Sequence, residues 1–189
     1  MEDSFIEQPL AAGIADSLRR GDSKAIESVV NDLHAPIYRY LVYQGSSASQ
    51  AEELTAETFF QVLKSISSFR GDDGQIRAYV FSIARNVRAN WYRSRSPEAR
   101  TIDSATTIAD SQDSPMQQLL AQECASDLTK AIEQLSEVAR EIIVLRFHEG
   151  LSISEIATAC EMPIGTVKSH LHRAKQELKQ KLSDSEQLK

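Results

Sequence analysis

Three features of the chain predict an all-α protein of two helical domains joined by a flexible linker. Apolar residues recur at three- and four-residue steps along most of its length, the period of a helix with one buried face. Turn formers are scarce, with 7 Gly and 5 Pro in 189 residues. One stretch breaks the periodicity: residues 97–119 carry Thr101, Ser104, Thr106, Thr107, Ser111, Ser114 and Pro115 with little apolar content, the composition of a linker. The boundaries that follow are an N-terminal domain over 11–96, a linker over 97–119 and a C-terminal domain over 120–184. Fully extended, about 23 linker residues reach roughly 80 Å, enough for the domains to dock on well-separated surfaces.

Charge is segregated within a net −6 and a pI near 5.3. Residues 1–60 hold ten acids against Arg19, Arg20, Lys24 and Arg39, whereas residues 74–100 hold six arginines against Glu98 alone. Such a chain makes local contacts with nucleic acid without coating it. Cys124 and Cys160 are far apart in sequence, with no C-x-x-C and no histidine at ligand spacing, so buried reduced thiols and no metal are expected. No apolar run spans a bilayer, and Met1-Glu2-Asp3 is acidic where a signal peptide is basic. A soluble cytoplasmic protein, with no direct membrane insertion and no cofactor, is the expectation.

In chain order, Ile14 and Leu18 form a first stripe. Ile26, Val29, Val30, Leu33, Ile37, Tyr40 and Leu41 form a second, with Asp22 as its N-cap. After a loop over 44–49, Ser49 and Glu52 spell a capping box. The helix they start runs from Gln50 to about Phe69 and buries Leu54, Phe59, Val62, Leu63 and Ile66. Its other side offers Glu52, Glu53, Glu57, Gln61 and Lys64, by composition a solvated face. Phe69 and Arg70 stand at a two-glycine turn, usable for grasping a base. The next helix, Gln75 to about Ser94, buries Ile76, Val80, Ile83, Val87 and Trp91. Arg77, Arg85, Arg88, Tyr92 and Arg95 share a second face, and Asn86, Asn90 and Arg93 a third. Cations and amides with an aromatic between them suit nucleic acid; the other reading is a basic helix packed on the acidic first half of the chain. After the linker, Cys124, Leu128, Ile132 and Leu135 are helical again. Ser136 starts a helix through Val138, Ile142, Leu145 and Arg146 that stops at Gly150.

Residues 151–173 read as a helix-turn-helix. Ser152 and Glu155 form a capping box, Ile153, Ile156 and Ala157 face inward, and Pro163 ends one helix and suits the first position of the next. In the second helix Val167, Leu171, Ala174 and Leu178 are the buried stripe. Thr166, Lys168, Ser169, His170, His172 and Arg173 lie between, with no acid before Glu177. A one-signed face of short polar groups and cations can approach phosphates and base edges. His170 and His172 point to different sides of a helix, so they make polar contacts rather than a zinc site. Alone, the stretch fits a repressor, an activator or a polymerase subunit equally.

Both halves together resemble a bacterial RNA polymerase sigma factor of the extracytoplasmic-function group. The motifs are Ala51-Glu52-Glu53-Leu54-Thr55-Ala56-Glu57-Thr58-Phe59, Phe69-Arg70-Gly71, Ala78-Tyr79-Val80-Phe81-Ser82-Ile83-Ala84-Arg85-Asn86, Arg140-Glu141-Ile142-Ile143-Val144-Leu145-Arg146-Phe147 and Gly165-Thr166-Val167-Lys168-Ser169-His170-Leu171-His172-Arg173-Ala174. The resemblance implies a sigma region 2 bundle and a sigma region 4 helix-turn-helix. It implies that Glu52, Glu53, Glu57 and Gln61 bind core polymerase (its beta and beta-prime subunits) and that Phe69 and Arg70 capture a flipped base. Arg85, Asn86 and Arg88 would meet the melted minus-ten element, and Thr166, Lys168, Ser169, His170, His172 and Arg173 the minus-thirty-five element of promoter DNA. It further implies a stress or envelope regulon and allows an anti-sigma factor as partner. Tyr79 stands where the family commonly has tryptophan, and His170 where it commonly has arginine. The rival readings are a stand-alone helix-turn-helix regulator and a sigma-like adaptor that sequesters an anti-sigma protein. With no phosphate-binding glycine motif, nucleophile–base pattern or metal cluster, an enzyme is not expected.

Overall fold

The structure is a computed structural model describing residues 12–94 and 128–187, with side chains through Ser183. The expected linker, Cys124, Arg95 and the Met1–Asp3 segment lie outside the described residues. Among the described residues there is no strand, and no helix is long and apolar enough to cross a membrane.

The N-terminal half packs α1 (Ile14–Arg19), α2 (Ser23–Tyr43), α3 (Ala48–Ser65) and α4 (Ile76–Ser94). Asp22 caps α2 as its sequence position predicts, its carboxylate accepting from the Lys24 N–H at 2.9 Å. Val29, Leu33, Ile37, Tyr40 and Leu41 of α2 are buried; Ile26 and Val30 are only partly so. The helix α3 starts two residues before the expected point. Ser47 and Gln50, not Ser49 and Glu52, make the capping box. Both pairs spell the same motif, but Gly45, at φ 88°, already turns the chain out of α2, so the helix restarts at the first competent serine. Thr55 and Thr58 are buried in α3, each donating its hydroxyl to a carbonyl four residues back (2.6 and 2.7 Å), which satisfies it without a partner helix. The helix also ends early, passing into a 3-10 turn over Ile66–Ser68.

Before α4, a 3-10 turn over Asp73–Gln75 carries its own capping box between Asp72 and Gln75. Along α4, Ile76, Val80 and Val87 are buried as expected, but Ile83 and Trp91 are only partly covered, while Phe81 and Ala84 are wholly buried. A helix with one covered side would not bury both sets. The reason is that α4 is packed on two sides, by α2 and α3 on one and by α7 on the other.

The C-terminal half begins with α5 over 128–133 and α6 (Glu137–Ile143), whose N-cap Ser136 accepts from the Ala139 N–H at 3.3 Å. The chain continues without a break into a π-helical turn, Val144–His148, and leaves it at Gly150 with φ 71°. The helix α7 (Ile153–Ala159) opens on the Ser152–Glu155 capping box, both hydrogen bonds present. Pro163 stands one residue before α8 (Ile164–Gln187), its carbonyl accepting from the Val167 N–H at 3.1 Å. It therefore caps the helix from outside rather than filling its first position. The reversal itself falls at Glu161, the one non-glycine with positive φ among the described residues (54°). Val167, Leu171 and Ala174 are buried and Leu178 is partly so, the stripe read from their spacing.

The buried apolar residues of the two halves form one continuous cluster. The first helix of the helix-turn-helix lies against α4, and the π turn against α2.

Candidate nucleic-acid interface

The residues singled out in the sequence fall on four surfaces. On the outer side of α3, Glu52, Glu53 and Glu57 are exposed and Gln61 is half-buried, its amide donating to Glu57 at 2.6 Å. This side also carries what periodicity misplaces. Leu63, expected in the core, is 46% exposed, and Phe60 beside it is 54% exposed, with the Lys64 ammonium 5.2 Å from its ring centre. Phe59 alone of the Phe59-Phe60 pair turns inward. The outer face of α3 thus mixes carboxylates with two large apolar side chains, a combination that solvation alone does not favour.

Between α3 and α4 runs an open groove of about 540 Å³, with Leu54, Ile83 and Val87 in its floor and Glu57, Gln61 and Asn86 among its walls. Asn86 therefore sits with the α3 polar groups rather than with Arg85 and Arg88, from which the turn of the helix separates it.

At the tip after α3, Phe69 departs from expectation. Its ring is buried (9% exposed) and packed 4.7 Å from the Tyr79 ring, while Tyr79 donates to Ser65 at 2.6 Å. The ring lies directly under Gly71, where any Cβ would run into its far edge. An arginine of α1 completes the support: Arg19 donates to the Gly71 carbonyl at 2.9 Å. Phe69 is accordingly the floor of the loop, and the groups at the tip open to solvent are Arg70 and the Asp72–Gly74 segment. Asp73 ties that segment to the start of α1, accepting from Gly13 at 2.6 Å and Ala15 at 2.8 Å. Those backbone donors hold its carboxyl below the usual aspartate range, the Ala15 bond contributing most.

The basic face of α4 is not open. Arg88 donates to Glu137 at 2.9 Å and to the Gln44 carbonyl at 2.7 Å. Arg85 pairs with Glu141 at 3.3 Å, and Tyr40 of α2 donates to the same Glu141 oxygen at 2.7 Å. Arg77 donates to the Glu149 carbonyl, and Arg39 of α2 reaches the Glu149 carboxylate through Nη2 at 3.0 Å and Nε at 3.4 Å. The reading that this helix packs on acidic groups of its own chain is thus the one realised in the described structure, with a correction: the acids come from the second half, not the first. Burial, reinforced by Glu141, raises the Tyr40 hydroxyl well above its ordinary pKa. Next to these groups, burial first and Glu141 second push the Cys160 thiol up to about 12, against an opposing pull from Arg85. Glu141, Glu149 and Glu137 were missed from sequence. The available signal was Glu141 standing beside the apolar run Ile142-Ile143-Val144-Leu145.

On α8 the fourth surface is free. Lys168, Ser169, His172 and Arg173 are exposed, and Thr166 and His170 are half-buried. Ser169 is turned back to the Gly165 carbonyl (2.9 Å), and His172 meets Gln176 at 3.0 Å. Among the described residues no group of three His, Cys, Asp or Glu side chains is placed to hold a metal ion.

Comparison with known proteins places these surfaces in context. Residues 26–98 match the Sigma-70 region 2 family and residues 125–178 the family described as Sigma-70, region 4. The chain is 33% identical over 146 residues to the ECF RNA polymerase sigma factor SigX of Bacillus subtilis, covering 74% of each. It is 29% identical over 174 residues to the RNA polymerase sigma-H factor of Pseudomonas aeruginosa, covering 86% of this chain and 89% of that one. Among solved structures, the sigma factor RpoE of Bartonella quintana, in complex with the anti-sigma factor NepR, superposes with a TM-score of 0.69 at 25% identity over 85% of this chain and 98% of that one. The chain belongs to the extracytoplasmic-function RNA polymerase sigma factors, which direct transcription initiation and are initiation factors rather than catalysts.

Proposed function

We propose that this sigma factor binds core RNA polymerase through the outer face of α3 and brings it to promoter DNA at two places. Glu52, Glu53 and Glu57, with Gln61, supply the polar contacts to the beta and beta-prime subunits, and Phe60 and Leu63 the apolar ones. The minus-ten element is held in its melted form by Arg70, Asn86, Arg85 and Arg88. Phe69 acts there by shaping the loop. The minus-thirty-five element is read by α8 through Thr166, Lys168, Ser169, His170, His172 and Arg173. The protein has no catalytic centre of its own, acts in the cytoplasm and on the nucleoid, and serves a stress or envelope regulon. An anti-sigma factor is a further partner in this reading, by analogy with the relative whose structure is such a complex.

The observation that carries the reading is the α8 face, with four polar or cationic side chains exposed and no acid among them. Run-off transcription with purified core polymerase tests it: a promoter-specific product that depends on this chain is expected. Sequence-specific duplex binding without any dependence on core would instead make it a stand-alone regulator. Substituting Arg173→Ala should weaken binding to a cognate upstream element by about 1–3 kcal/mol. An equal loss on scrambled sequence would mean that it touches phosphate only.

A further inference from the structure

Resting on the reading that the loop after α3 takes a base of the melted minus-ten strand, we infer that α1 is the splint that holds this loop in its working shape. Arg19 and Asp73 are its positioning residues, acting through the loop rather than on the strand.

The first argument is that two tethers join α1 to the loop and run in opposite directions. Arg19 of α1 donates through Nη1 to the Gly71 carbonyl at 2.9 Å and lies 3.5 Å from that of Phe69, its other terminal nitrogen being held by Asp16. Asp73 of the loop accepts from the α1 amides of Gly13 at 2.6 Å and Ala15 at 2.8 Å. Each bond has one ionised partner, the shorter and stronger class. With both tethers made, the chain from Gly71 to Asp73 cannot swing without breaking one. The second argument is α1 itself. It has six residues, far below the length at which a helix stands alone. Its N-cap is Gly13, which brings no side chain to the first turn, where a serine or aspartate would cap it locally. The acceptor comes from Asp73 instead, so the order of the helix and the order of the loop are one condition. Buried Ile14, Ala15 and Leu18 fix the splint to the core. The third argument is where the tethers fall. Arg70, Asp72 and Gly74 are exposed, whereas the Phe69 ring closes the space under Gly71. Floored by that ring and held from the side by α1, the loop is set before DNA arrives, which lowers the ordering cost of binding.

The test uses the full chain loaded on purified core polymerase. Its probes are labelled single strands carrying the non-template minus-ten sequence of a promoter that the wild type uses in run-off transcription, with each base in turn exchanged for the other three. The wild type should favour the native base at one position by about fivefold or more, the ratio that a single mismatch produces. Arg19→Ala and Asp73→Ala should capture core polymerase as the wild type does, yet bring that preference to within about twofold. Arg19→Lys should keep it, since the ammonium still offers a donor to the Gly71 carbonyl. Ser47→Ala, which removes the α3 cap and leaves both tethers, should keep it too. Preference unchanged in both alanine variants would overturn the inference. An equal loss in Ser47→Ala would also overturn it, by making α1 a source of general stability only. A wild type that initiates from the promoter but prefers no base would instead overturn the underlying reading of the loop. Should Asp73→Ala lose helicity, the two Arg19 variants carry the test, because that side chain is 28% exposed and outside the core.

Discussion

Glu161 holds the turn of the helix-turn-helix at φ 54°, a region where an L side chain crowds its own backbone. Glycine relieves that crowding, and Glu161→Gly should raise stability by about 0.5–1 kcal/mol in denaturant titration, after the loss to unfolded-state freedom. The sequence places the break at Met162-Pro163 and says nothing of Glu161, because nothing in its residue type marks a left-handed position. Asp73 is a second residue whose part is visible only in three dimensions, since the backbone amides it binds, on Gly13 and Ala15, lie some sixty residues away. Its carboxyl titrates below the usual value, so its stabilising contribution is complete above the ordinary aspartate pKa. That contribution is lost as the pH falls through the lowered value. Asp73→Asn should lower the thermal midpoint near neutral pH, and the gap to wild type should close in strong acid. A gap that persisted there would mean that the side chain acts by shape alone. Phe69 teaches the converse. Its identity and its place in a Phe-Arg-Gly tip were legible, but its direction was not, because the ring turns under Gly71 onto Tyr79.

Among whole elements, the helices were legible and their exact faces less so. Capping residues and apolar spacing located α2, α6, α7 and α8 closely, since in each the local signal and the packing agree. The helix α3 is the instructive case. Two overlapping serine–acid or serine–amide pairs compete for its start, and an apolar residue at helical spacing, Leu63, proves exposed. Periodicity reports which residues share a face; it cannot say that a face extends past the edge of the core. The surplus apolar surface yields a prediction. Phe60→Ala with Leu63→Ala should leave the unfolding free energy within about 0.5 kcal/mol of wild type, as surface substitutions do. It should also reduce co-purification with core polymerase. A large stability loss with polymerase capture intact would put these side chains in the fold rather than in the contact.

Across the whole molecule, what sequence could not supply is the meeting of the halves. A polar linker gives permission for two domains to separate but no instruction to do so, and pairs such as Arg39 and Glu149 lie 110 residues apart. The segregation of charge along the chain was readable; which acids answer which arginines was not. Tyr40 joins the two levels, being a core residue of the first half whose hydroxyl donates to a buried carboxylate of the second. Tyr40→Phe keeps the ring and its edge contact with Phe81 but takes a donor from Glu141. It should cost about 1–3 kcal/mol in unfolding of the full chain. An unchanged midpoint would show that the carboxylate finds a substitute donor once the phenol is gone.

The three acids are not equally deep. Glu137 is 71% exposed, Glu141 9% and Glu149 1%, and they meet α4 in that order from Arg88 back to Arg77, about 16 Å along the helix at 1.5 Å per residue. That gradient runs from water inward on the acidic side of the seam. On the arginine side the order is reversed, Arg88 being 17% exposed against 34% for Arg85 and 31% for Arg39. Added salt should therefore screen the Glu137 contact first and the contacts of the two deep acids last.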